Sequence, residues 1–115
     1  MTGQRTPTAA ELALLDPDGS FTQRLAEDRA ALAALAPVLE PAPVPPGDAT
    51  LAAIQILAHR LAGAAGTFGH GAVSEAALAL EDSVIGLRQG GADTVLVAGR
   101  LGALLASLDA ALRLK

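Results

Sequence analysis

Residues 51–68 read Leu-Ala-Ala-Ile-Gln-Ile-Leu-Ala-His-Arg-Leu-Ala-Gly-Ala-Ala-Gly-Thr-Phe, and no proline occurs in this stretch or after it. The apolar residues recur at three- and four-residue intervals instead of alternating, and most are Ala and Leu, which favour helix. A helix is expected here, capped by Asp48 or Thr50 and ended by the glycines at Gly69 and Gly71. On a wheel of about 100° per residue, Ile54, Leu57, Leu61, Ala65 and Phe68 gather within about 60° of each other, which makes them the core face.

The same period continues downstream. A helix from about Ala72 to Gln89 carries Val73, Ala77, Leu80, Val84 and Leu87 on one face. Gly90-Gly91 reads as a turn, and Asp93 as the cap of a last helix with Val97, Leu101, Leu104, Leu105, Leu108 and Leu112 inward. Upstream, all seven prolines lie between Pro7 and Pro46. Thr8 with Glu11 is a capping box for a short helix, Ala9 to Leu15, stopped at Asp16-Pro17. Ser20 with Gln23 is a second box, opening a helix whose stripe is Phe21, Leu25, Leu32, Leu35 and Leu39. Asp28 falls inside that stripe and is expected at its edge, reaching water or a helix N-terminus. Pro37 weakens the last turn, and residues 40–47 form a stiff, proline-rich connection of about 3 Å per residue. The fold class is all-α: an antiparallel up-down four-helix bundle, with the short N-terminal helix as a lid.

Composition narrows the function. A chain of 115 residues buries one core better than two, so residues 1–115 are expected to form a single domain. The absence of cysteine removes disulfide scaffolds, zinc fingers and thiol chemistry. A net charge of -4, eight unclustered basic residues and only two aromatics leave neither an electrostatic footprint nor stacking platforms for nucleic acid. Gln55, His59 and Arg60 interrupt the richest apolar run, and Met1 to Glu11 is too polar for a signal peptide. A soluble, cytoplasmic, monomeric protein is expected, and Met1 with the short tail suggests a freestanding one.

His59 is out of place. It lies opposite the core face of its helix, where Glu, Lys and Arg are usual, yet its neighbours there are Ala52, Gln55, Ala62, Gly63 and Gly66. The two glycines each cost roughly 1 kcal/mol relative to Ala in a helix interior. Either they permit tight helix packing and His59 is incidental, or the surface is cleared so that another protein can reach the imidazole. Ile56, off the core stripe and near His59, would then be an apolar docking contact. His70 is the other histidine, but a metal site joining it to His59 lacks further ligands. Ser74, Ser83 and Ser107 have no histidine at helical spacing, and no glycine-rich nucleotide loop is present, so an ATP-dependent kinase domain is not expected.

The run Ala58-His-Arg-Leu-Ala-Gly-Ala-Ala-Gly-Thr-Phe-Gly69, followed by Leu80-Glu81, resembles the signature of histidine-containing phosphotransfer (HPt) domains, the intermediates of bacterial multistep phosphorelays. His59, Leu61, Gly63, Ala64, Ala65, Gly69, Leu80 and Glu81 stand in register with it. The resemblance implies a non-enzymatic carrier in which His59 Nε2 takes a phosphoryl group from a receiver-domain aspartyl phosphate and passes it to another receiver. It implies response-regulator receivers and a hybrid histidine kinase as partners, and no cofactor beyond the Mg²⁺ of the receiver. An imidazole near pH 7 is mostly neutral and hence nucleophilic without a dedicated base. Relatives with a Glu at the matching place imply that Glu81 accepts from Nδ1, while Gln55 could bond the ring or the phosphoryl oxygens. The family's lysine three residues after the histidine is Ala62 here, and Arg60 could substitute only by its long reach.

Two other readings follow from the residues. One is a degenerate domain of the same fold that binds a receiver or kinase without carrying phosphate, which Ala62 keeps open. The other is a dimerising module, since Leu96, Ala103, Ala110 and Leu114 form a weak outward stripe on the last helix.

Overall fold

A computed structural model describes residues 8–39, 46–91 and 94–113, and the regular structure among them is helical, with no strand. The helices are α1 (Ala9–Leu15), α2 (Ser20–Leu35), α3 (Asp48–Thr67), α4 (Gly71–Arg88) and α5 (Thr94–Leu112), and a 3-10 turn, Ala36–Leu39, extends α2. That turn begins one residue before Pro37, which has no N–H to continue an α-helical ladder. Helix α3 packs on α4, α4 on α5, α5 on α2 and its 3-10 extension, and α2 back on α3.

The core is aliphatic. Leu25 and Leu32 of α2, Ile54 and Leu61 of α3, Leu80 and Val84 of α4, and Leu101, Leu104 and Leu108 of α5 are almost completely buried. The expected faces are largely those observed, with Leu35, Leu57, Phe68, Leu87, Leu105 and Leu112 only partly buried around the core. Ala58 and Ala62 of α3 are buried as well, because small side chains let α3 and α4 approach closely. Phe21 and Phe68 stack with ring centroids 4.0 Å apart and tie the start of α2 to the end of α3.

The helix ends separate correct from incorrect local readings. The box at α1 forms: Thr8 N donates to Glu11 Oε1 (2.9 Å), and Glu11 N donates to Thr8 Oγ1 (3.1 Å). The lid does not follow, since Leu14 and Leu15 are exposed. The Ser20–Gln23 box is replaced by Asp16. Its carboxylate accepts from Phe21 N (3.0 Å), Thr22 N (2.8 Å) and Thr22 Oγ1 (2.7 Å). Gly19, at φ 72°, turns the chain back through a left-handed conformation so that this carboxylate meets the exposed amides of α2. Burial pushes the Asp16 carboxyl up, but the hydrogen bonds from Thr22 and Phe21 and the nearby His70 outweigh burial and leave it below its ordinary value. Helix α3 also starts earlier than expected, after an extended Gly47 and without a side-chain cap. Asp48 is its first residue, and its carboxylate is bound by Arg88. Asp93 and most of the proline-rich connection, residues 40–45, lie outside the described residues, as does Leu114.

One long-range pair corrects a further expectation. Asp28 reaches neither water nor a helix N-terminus: it is buried and accepts from Arg60 Nη2 at 3.1 Å, across the α2–α3 interface. Among the described residues α5 is the one helix long and apolar enough by length and composition to cross a membrane, although the richest apolar run was expected around Gln55. Here it buries one stripe in the bundle, while Arg100 donates to Ala79 O and Asp109 binds Arg29 through two nitrogens. Of the outward stripe on α5, Leu96 and Ala103 are exposed and Ala110 is half-buried.

Candidate functional site

His59 projects from the middle of α3 with 77 % of its side chain exposed. Its Nδ1 lies 2.8 Å from Glu81 Oε2, and Glu81 is largely covered at the α3–α4 seam. The two meet because Ala58 and Leu61 on α3 and Ala77, Leu80 and Val84 on α4 bury the seam and fix the register, leaving the next residue on each helix at its rim. A carboxylate only accepts, so Nδ1 carries a proton in this contact, and in the neutral ring Nε2 then keeps its lone pair, directed away from the contact.

The surroundings are small or apolar. Gly63 is exposed, and a Cβ built on it would meet nothing within 4 Å. At Gly66 a Cβ would come 3.5 Å from Ser74 Oγ, an ordinary contact. Ile56 is exposed by 61 %, as an apolar docking contact requires. Leu78 of α4, 49 % exposed, is a residue that sequence reasoning missed. Ser74, Leu78 and Glu81 follow one another at four- and three-residue spacing, and Ser74 and Glu81 both touch the His59 side of α3. The spacing back from Glu81 was the available signal.

Ala62 does not belong to the open face. It is 8 % exposed, packed into the α3–α4 seam, and its carbonyl accepts from Ser74 Oγ at 2.7 Å. Arg60 does not replace the lysine expected at that place, because its guanidinium is held by Asp28. Gln55 makes no hydrogen bond to the imidazole. Its Oε1 accepts from Arg88 Nη1 at 2.8 Å, and Arg88 also grips Asp48 through Nε (2.8 Å) and Nη2 (3.1 Å). The Arg88 hydrogen bond holds the Asp48 carboxyl below its ordinary value.

His70 occupies a different environment. It is 2 % exposed at the α3–α4 turn, with its ring centroid 6.0 Å from that of Phe21, and neither ring nitrogen has a hydrogen-bond partner among the described residues. Burial lowers its pKa, and Asp16 opposes that shift only in part. Among the described residues no group of three or more His, Cys, Asp and Glu side chains is arranged to hold a metal ion.

Neither the comparison with curated proteins nor that with solved structures finds a match. The model of one family, the Hpt domain, does match, over residues 19–112, from the glycine before α2 to the last residue of α5. With most of its length matched, and with an exposed histidine supported across the α3–α4 seam, the chain belongs to the Hpt domain family.

Proposed function

We propose that this chain is a phosphorelay intermediate in which His59 accepts a phosphoryl group from a receiver-domain aspartyl phosphate and hands it to a second receiver. The observation that carries the reading is the 2.8 Å contact of an exposed His59 Nδ1 with Glu81. It leaves Nε2 as an accessible nucleophile of fixed tautomer. In the transfer, the Nε2 lone pair forms the N–P bond while the acyl phosphate P–O bond breaks, and the aspartate leaves as a carboxylate. No proton needs to move: the ring keeps Nδ1–H, gains positive charge, and is met by the Glu81 carboxylate. Positioning and charge stabilisation dominate phosphoryl transfer, and the receiver brings its own lysine and Mg²⁺ for much of both.

The docking face is Ile56, Gly63 and Gly66, joined by Leu78. The proposal includes receivers and a hybrid histidine kinase as partners, a cytoplasmic, monomeric protein, and an up-down antiparallel bundle. The last is supported by the meeting of Asp48, first residue of α3, with Arg88, last residue of α4.

The test is label transfer from a phosphorylated cognate receiver. Acid-labile, base-stable label is expected on the wild type and none on His59→Gln. The buried Ala62 and the committed Arg60 favour one second reading, a regulator that binds a receiver without carrying phosphate. Wild type that binds the receiver but takes no label would establish it.

A further inference from the structure

The donors around His59 are nearly all engaged elsewhere. Arg60 is held by Asp28, Ser74 Oγ donates to Ala62 O, and Thr67 Oγ1 donates to Gly63 O. Ala62, where the resemblance expects a lysine, offers no donor. Gln55 is different. An arginine presents only donors, so the oxygen of the Gln55 amide must face Arg88, and the NH₂ group is turned to the other side of the head group. That NH₂ has no partner among the described residues. Gln55 stands one turn before His59, and a helical side chain leans back over the turn that precedes its own Cα, which directs the imidazole towards the turn that carries Gln55. Arg88 is itself fixed, since Asp48 binds it through two nitrogens and so settles which way the amide is presented. Asp48, Gln55 and Arg88, with Ile85 and Gln89, line an open polar recess of about 300 Å³ between α3 and α4.

We propose that Gln55 Nε2 donates a hydrogen bond to a phosphoryl oxygen carried by His59, and that Arg88, chelated by Asp48, is the positioning residue that turns the amide for this task. The inference rests on His59 as the phosphoryl acceptor. It assigns to the Asp48–Arg88–Gln55 chain a share of the charge stabilisation that a lysine at residue 62 would otherwise give.

Phosphoramidate is a suitable probe because it needs no docking surface. Its P–N bond breaks, ammonia leaves with the protons it already holds, and the new bond forms to Nε2. A hydrogen bond to a charged oxygen corresponds to roughly tenfold or more in rate. Gln55→Leu and Arg88→Met are each expected to slow phosphorylation of His59 about tenfold at unchanged melting temperature. The double variant should be no slower than either single one, because both changes remove the same donor. In ¹⁵N spectra, phosphorylation should shift the Gln55 side-chain amide in the wild type and move it much less in Arg88→Met, a signature that a purely structural pair would not give. Wild-type rates in Gln55→Leu, or an unmoved Gln55 amide, would overturn this inference alone. Wild type that takes no phosphoryl group on His59 would overturn the proposed function with it.

Discussion

The two histidines of this chain sit in opposite surroundings. His59 is exposed and has a partner for Nδ1, whereas His70 is buried and, among the described residues, has a partner for neither nitrogen. A buried polar group normally finds a hydrogen bond, and an exposed one has water for the purpose. The arrangement therefore runs against simple satisfaction of polar groups. At His59 the carboxylate does what water cannot, holding one ring nitrogen in a fixed contact, and under the proposed function it faces the charge that phosphorylation places on the ring. At His70 the ring serves as a packing surface against Phe21, under a penalty that grows as soon as it binds a proton.

The largest effect expected from this contrast is on phosphoryl acceptance. His59→Gln should remove label entirely, while His70→Phe, which keeps a planar ring against Phe21, should accept label at close to the wild-type rate. Loss of transfer in His70→Phe without loss of fold would break the division of roles. Glu81→Ala comes next, with transfer slowed about 10- to 100-fold, the range for a hydrogen bond involving a charged group. Glu81→Gln should fall between wild type and Glu81→Ala, since its amide oxygen still accepts from Nδ1 but brings no charge. Initial rates of label transfer at saturating phosphoreceiver measure both.

Much of this was readable before any coordinates. The proline-free second part and the spacing of Ala and Leu implied three of the four long helices, and the wheel alone isolated His59. Glu81 was different: its pairing depends on the register of α4 against α3, which no local rule specifies, and only the resemblance pointed to it. Ala62 was misread because alanine is at home on either face of a helix, and nothing in its side chain declares which. Asp28 and Arg60 are far apart in sequence, so their pair is visible only once α2 lies on α3. The cap of α2 was misread for a local reason. Ser20 satisfied the familiar spacing, but the turn at Gly19 let a carboxylate further back reach Phe21 N and Thr22 N first.

The buried histidine supplies a pH dependence of a definite sign. Its folded pKa lies below the ordinary 6.5, chiefly through burial. Below that ordinary value the unfolded chain takes up the proton more readily than the folded one. Stability from this group is thus fully present above pH 6.5 and is lost as pH falls from there towards the folded pKa. Urea midpoints measured between pH 8 and 5 should decline in the wild type over the acidic part of that range and stay flatter in His70→Phe. Asp16 adds a second loss only lower, as pH falls from its ordinary 3.8. An equal decline in both proteins near pH 6 would place the titrating group elsewhere.

The smallest effect tests why the surface around His59 is bare. Gly63 lies in the interior of α3 with open space where a Cβ would stand, so nothing among the described residues requires a glycine there. Gly63→Ala should raise stability by about 0.5–1 kcal/mol, a few degrees in melting temperature for a domain of this size. Gly63→Gln should gain less, as glutamine is a slightly poorer helix former, and it should slow transfer from a phosphorylated receiver while leaving phosphorylation by phosphoramidate unchanged. That split would separate a group that obstructs docking from one that disturbs the imidazole. A fall in melting temperature in Gly63→Ala would mean that the glycine serves packing within the bundle. The bare surface would then owe nothing to a partner, and the contrast between the two histidines would reduce to Glu81 alone.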